Sequence, residues 1–149
     1  MTIENGKVVF DNNKSIKLND HIKAVETVAY PYIVHKYNPK TDDDLGMLEL
    51  KNQNFYNIPC IGKYYFRNDK FRFIILTLDP DCTINTTELV NSINNMVTTL
   101  TARCQLLPID SDITVGFQSK DLTIYIPLKP PTKITEYSIL IQQSISLSA

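Results

Sequence analysis

The chain has 149 residues, with 15 Lys and Arg against 16 Asp and Glu, and a formal net charge of −1. That length predicts one domain over residues 1–149, able to bury roughly two thirds of its unfolded surface. Hydrophobic content of 43% and charged content of 21% exclude global disorder. The near-neutral balance excludes a protein-wide basic field, so nucleic-acid binding would need a local patch.

Most of the chain reads as short strands, with no internal repeat and no flexible linker. Lys7–Phe10 is the first predicted strand. His21–Val34 alternates poorly but is rich in β-branched and aromatic residues and reads as a strand, with Pro31 marking an edge, a bulge or a break. Residues 38–46, NPKTDDDLG, form a turn-rich acidic loop. Met47–Leu50 and Phe55–Phe66 read as further strands, with Pro59 and Gly62 marking irregularity. Arg67-Asn68-Asp69-Lys70 is a turn. Phe71–Leu78 follows, almost wholly apolar from Phe73 onward, as a strand covered on both faces would be.

One amphipathic helix is predicted around residues 86–104. Asn85 suits an N-cap, and Glu88 stands three residues on, as in a capping box. Leu89, Val90, Ile93, Met96, Val97, Leu100 and Cys104 then recur at helical spacing. Asn, Thr and Val are weak helix formers, so packing of that stripe must supply most of the stability. Beyond Pro108 comes an acidic turn, then strands at Ile113–Phe117 and Leu122–Leu128 joined by a loop at Ser119-Lys120-Asp121. Gly116 reads as a bulge or a tight bend. After Lys129-Pro130-Pro131, Tyr137–Leu147 alternates as a last strand or pair of strands. Too few helices are present for parallel crossovers, so the strands should pair antiparallel. The expected class is mainly β, of the α+β type. The expected shape is a small, partly open OB-like barrel or a sandwich with one helix.

The segment Lys51–Phe73 stands out. Of the chain's 8 Tyr and 6 Phe, it holds Phe55, Tyr56, Tyr64, Tyr65, Phe66, Phe71 and Phe73. Lys51, Lys63, Arg67, Lys70 and Arg72 are threaded among them, and Asp69 is the one acid. Aromatic faces stack on bases while cations hold phosphates, so this mixture suits single-stranded nucleic acid. It also suits a half-buried hairpin whose aromatics are core and whose cations keep it soluble. The period of two places Tyr65, Arg67 and Arg72 on one face and sends Tyr64, Phe66, Phe71 and Phe73 into the core. Tyr56, Lys63, Tyr65, Arg67, Lys70 and Arg72 are the expected contacts. Lys36, Tyr37 and Lys40, with Tyr30 and Tyr32, could extend that surface.

Catalytic groups are sparse. Neither His21 nor His35 neighbours a nucleophile, and Cys60 reads as a buried, inert thiol, so no enzyme is expected. Cys60, Cys82 and Cys104 are too widely spaced for zinc, and the triple Asp42-Asp43-Asp44 lacks the spacing of a calcium loop, so no metal is expected. Isolated glycines provide no phosphate loop, and no cofactor is expected. The odd, scattered cysteines, an N-terminus without an apolar core and the absence of a run near roughly 20 apolar residues predict an intracellular protein of cytoplasm or nucleus, with no membrane partner. Abundant Asn, Ile, Lys and Tyr and the lack of Trp are common where a genome is AT-rich, as in many viruses and some parasites.

The order of strands, one helix and a hairpin is similar to that of small phage and viral single-stranded-DNA-binding proteins with OB-type barrels. The likeness is one of topology and carries no residues across. It implies a replication-associated protein, although the ending ILIQQSISLSA lacks the acidic tail many such proteins use to recruit partners. The expected partner is single-stranded DNA or RNA, with a homo-oligomer allowed. The alternative expectation is a non-catalytic viral structural or virulence protein, a β-sandwich that pairs edge to edge.

Overall fold

Two-residue turns set the strand order. Asn5-Gly6, Tyr56-Asn57 and Asn68-Asp69 each place both central residues at positive φ. That is the turn whose twist matches two antiparallel strands. The computed structural model describes residues 1–109 and 111–144. Its strands are β1 (Thr2–Glu4), β2 (Lys7–Val9), β3 (Ser15–Ile16), β4 (Ile33–Tyr37), β5 (Gly46–Phe55), β6 (Ile58–Arg67), β7 (Lys70–Leu78), β8 (Gln105–Leu106), β9 (Thr114–Ser119), β10 (Leu122–Pro127) and β11 (Ser138–Gln143). Helix α1 spans Ile22–Ala29 and α2 spans Thr86–Arg103.

All strand pairs are antiparallel. The first three strands form one sheet. The other eight form a second, in the order β4-β5-β6-β7-β11-β10-β9-β8. The chain meanders from β4 to β7 and crosses by α2 to the far edge at β8. It then works back until β11 closes against β7. The mainly β, α+β architecture is therefore as expected, but the large sheet keeps two free edges and does not close into an OB-like barrel. A sandwich-like layering fits it better.

Alternation explains which face is buried. Leu48, Leu50, Tyr64, Phe66, Phe71, Ile74, Leu76, Ile124, Ile139 and Ile141 are at most 1% exposed and share one face of the large sheet. They merge into a single cluster with Ile3, Val8 and Ile16 of the small sheet, Val25 of α1, and Leu89, Ile93, Met96 and Leu100 of α2. Each such side chain contributes about 1.5–3 kcal/mol when fully buried. The Asn85 cap is formed, its Oδ1 accepting from the Glu88 N–H at 2.8 Å.

Two expectations about elements fail for identifiable reasons. His21–Val34 is not a strand. His21 caps α1, its Nδ1 accepting from the Lys23 N–H, and Ile22, Val25 and Ala29 supply a helical stripe that the β-branched composition masked. Pro31 lies in the 3-10 turn Tyr30–Tyr32, and β4 begins only at Ile33. Nor is Phe55–Phe66 continuous, since Tyr56-Asn57 turns the chain between β5 and β6. Gly116 pairs regularly with Tyr125. No bulge occurs there, and an added Cβ would require the Ile109 side chain to shift. Of the last expected strand, Ser138–Gln143 is formed and residues 145–147 lie outside the described residues, as does Asp110 of the acidic turn.

Candidate nucleic-acid interface

The β6–β7 hairpin carries the site. On β6, Cys60, Gly62, Tyr64 and Phe66 point inward, so Ile61, Lys63, Tyr65 and Arg67 point to the open face. On β7 the register slips between Tyr65 and Phe66. Tyr65 pairs with Phe73, Phe66 pairs with Phe71, and Arg72 is the extra residue. This bulge overturns the expected burial of Phe73. One inserted residue reverses the alternation and places Phe73 beside Tyr65 on the open face. Their rings stack with centroids 4.6 Å apart and planes 17° from parallel.

Directly paired residues share a face, so the row continues across the sheet. Tyr37 opposes Met47, Met47 opposes Tyr65, Tyr65 opposes Phe73, and Phe73 opposes Gln142. Tyr37 is 40% exposed, while Met47, Tyr65 and Phe73 are half-buried. The next row holds His35, Glu49, Lys63, Ile75, Leu140 and Tyr125. The face opposite the core thus carries one row that is mainly aromatic and apolar and a second in which His35, Glu49 and Lys63 adjoin Ile75, Leu140 and Tyr125.

At the tip of the hairpin, Arg67, Lys70 and Arg72 line one concavity of about 280 Å³ together with Asn19 and Asn68. Arg67 and Lys70 are exposed and face each other across the turn. The Arg72 guanidinium donates to Asn19 Oδ1 and to Gln143 Oε1, both at 3.1 Å, so neutral amides hold it without cancelling its charge. Asn19 is fixed in turn by its N–H to the Phe71 carbonyl at 3.1 Å. Among the described residues, ion pairs join Lys36 to Glu26, Arg103 to Glu4, and the Met1 amino group to Asp11; the hairpin cations take part in none. The neighbouring carboxylates are Asp69 in the turn and Asp20 in the adjacent loop, the latter accepting from the Lys17 N–H.

Four of the six expected contacts therefore come together: Tyr65, Arg67, Lys70 and Arg72. Lys63 lies on the same face, one step along β6, but directly opposite Glu49. Tyr56 is separate. It sits in the turn at the other end of β6, roughly 30 Å away at the rise of a strand. Its ring meets Phe55 edge-on at 4.7 Å, and its hydroxyl oxygen accepts from the Ile3 N–H at 3.2 Å. Burial pushes its phenol pKa up. The possible extension is divided likewise: Tyr37 joins the aromatic row, Lys36 pairs with Glu26, and Tyr32 stacks on Phe10 at 6.0 Å.

Phe73, expected in the core, joins the candidate site, as do Met47, Asn19 and Gln143, which no sequence signal marks. No local signal marks a bulge at Arg72, and the two amides become partners only through pairing distant in sequence. Cys60 is buried, with its thiol pushed up to about 12 by desolvation, and Cys104 is also raised by burial. Among the described residues, no group of three or more His, Cys, Asp or Glu could hold a metal ion, and no helix is long and apolar enough to cross a membrane.

No protein-family model matches the chain, and no curated protein matches it. A solved structure, a cysteine-rich secretory protein from Staphylococcus aureus subsp. aureus Mu50, aligns over 95% of this chain at 11% identity with a TM-score of 0.46. This chain spans 49% of that one.

Proposed function

We propose that this protein binds single-stranded nucleic acid with little sequence preference, using the open face of the β6–β7 hairpin and its tip. The observation that supports this most is the Tyr65–Phe73 stack lying beside Arg67, Lys70 and Arg72, cations that form no ion pair among the described residues. A half-buried ring offers a face for a base, and the adjacent guanidinium and ammonium groups neutralise the phosphates on either side. Neither element reads a base edge, so the expected preference is for backbone and stacking rather than sequence. With a net charge of −1, attraction must be local, and affinity should fall steeply with salt. Fluorescence anisotropy of a labelled oligo-dT strand at low salt tests the reading. Saturable binding that weakens as salt rises is expected, and no binding at low salt overturns it.

A second reading, a non-catalytic interaction protein that pairs edge to edge with its own copy, draws on the two ends of the large sheet. Val34 on β4 is 50% exposed and Leu106 on β8 is 57% exposed. Unpaired edge strands that carry apolar side chains invite a further strand. Size-exclusion chromatography with light scattering separates the two readings. A stable assembly indifferent to oligonucleotide favours the second.

A further inference from the structure

A cavity of about 630 Å³ opens next to the hairpin tip, walled by the β1–β2 turn, the loop after β3, the β9–β10 turn and the end of β11. Three lysines from three separate segments line it: Lys7, Lys17 and Lys120. The amides of Asn19, Gln118 and Gln143 line it too, and Asp121 is the one carboxylate. None of the three lysines makes an ion pair among the described residues.

The walls are held in place by specific contacts. The Gly6 N–H donates to Ser119 Oγ at 2.9 Å in a buried hydrogen bond that joins the β1–β2 turn to the β9–β10 hairpin. Gly6 has φ +73, and a Cβ there would stand 2.9 Å from the Lys120 Cβ, so this close approach requires glycine. Lys7 and Lys120 are thus carried on fixed backbone, and the Lys17 N–H donates to Asp20 Oδ2 at 2.9 Å within its loop. Asn19 lines both this cavity and the concavity of Arg67, Lys70 and Arg72. The Arg72 guanidinium, bonded to Asn19 and Gln143, stands at the boundary between them. On the far side of Lys120 the next depression contains Arg103, which is paired with Glu4 at 3.6 Å. The run of cations without a carboxylate partner therefore extends from Arg67 to Lys120 and stops there.

We infer that this cavity is a second phosphate-binding segment, taking the backbone of a single strand as it leaves the hairpin tip, with Lys7, Lys17 and Lys120 as its cations. The inference rests on the single-strand reading above. It adds three phosphate contacts, from parts of the chain far from the aromatic segment. The amides can donate to phosphate or sugar oxygens without selecting a base, in keeping with a sequence-indifferent track.

The test compares the full chain with a variant carrying Lys7→Gln, Lys17→Gln and Lys120→Gln. All three lysines are exposed, so the fold should be retained. Titrations with a long oligo-dT strand are run across a salt series. Each phosphate contact contributes about 0.7 to the slope of log affinity against log salt for single strands, so the variant should lose about 2 from that slope. Lysine acetylation of the unsubstituted protein, read by mass spectrometry, needs no variant. The strand should protect Lys7, Lys17 and Lys120 while leaving Lys14 and Lys23 reactive. Inorganic phosphate at equal phosphate concentration should protect none of them. Binding with an unchanged slope and no protection overturns the second segment alone and leaves the hairpin site standing. Protection by inorganic phosphate alone overturns it in favour of a free-anion site. No binding by the unsubstituted protein overturns both.

Discussion

Tyr65 and Phe73 stack because the β6–β7 bulge sets them opposite each other, centroids 4.6 Å apart, on the face turned away from the core. Two consequences can be separated by measurement. In a double-mutant cycle of Tyr65→Ala and Phe73→Ala, urea unfolding should return a coupling of about 0.5–1.5 kcal/mol beyond the loss of buried area. In oligo-dT titrations Tyr65→Ala should cost about 1–3 kcal/mol, whereas Tyr65→Phe keeps the ring and should cost far less. Strictly additive stability changes would mean the rings merely lie side by side.

Arg67 and Lys70 are exposed and face each other across the turn, so substituting them should alter binding with little effect on folding. Arg67→Gln combined with Lys70→Gln should flatten the salt slope by about 1.4. Lys63→Gln should do less, because Lys63 lies farther from the tip and has the Glu49 carboxylate on the strand directly opposite. Equal effects from Lys63 and Arg67 would argue against a track centred on the tip.

Tyr56 serves as a contrast. Tyr56→Phe removes the hydroxyl that accepts from the Ile3 N–H, which should lower stability by about 1 kcal/mol and leave oligo-dT affinity unchanged. Calorimetry paired with anisotropy on the same preparation checks both halves. A loss of affinity without a loss of stability would return Tyr56 to the interface.

Much of this arrangement is legible along the chain, and the illegible parts share a cause. The helix at Thr86–Arg103 follows from a cap and an apolar stripe, both local signals. The Arg67–Lys70 turn and the inward run of Tyr64, Phe66 and Phe71 follow from residue type and period two. In α1, Ile22, Val25 and Ala29 are helically spaced, but the β-branched composition of His21–Val34 competes with that signal and points to a strand. Asn5-Gly6 is a strong two-residue turn signal that marks the β1–β2 hairpin. The position of Phe73 was not accessible, since a bulge depends on how two strands meet. The gathering of Lys7, Lys17 and Lys120 around one cavity is likewise a product of tertiary pairing, and no spacing in the sequence encodes it.

High pH should unfold this protein through its interior rather than its surface. Cys60 is 2% exposed, and desolvation holds its thiol at about 12 against an ordinary 9.0. Burial also raises the phenols of Tyr64, whose hydroxyl donates to Gln53 Oε1 at 2.8 Å, and Tyr137. Each group is protonated and neutral in the fold and ionises more readily in the unfolded chain. The stability it contributes is complete below its ordinary pKa and is lost as pH rises toward its folded value. For Cys60 that window runs from about 9 to about 12, with the tyrosines joining above their ordinary 10.0. Each ionising group should remove up to about 1.4 kcal/mol per pH unit. Urea unfolding should therefore be insensitive to these groups from pH 7 to 8 and weaken steadily above 9. Cys60→Ala should start from a lower stability, because it leaves a small cavity, yet decline less between pH 9 and 10. A decline in that interval as steep as that of the unsubstituted protein would show that the thiol does not set the alkaline limit.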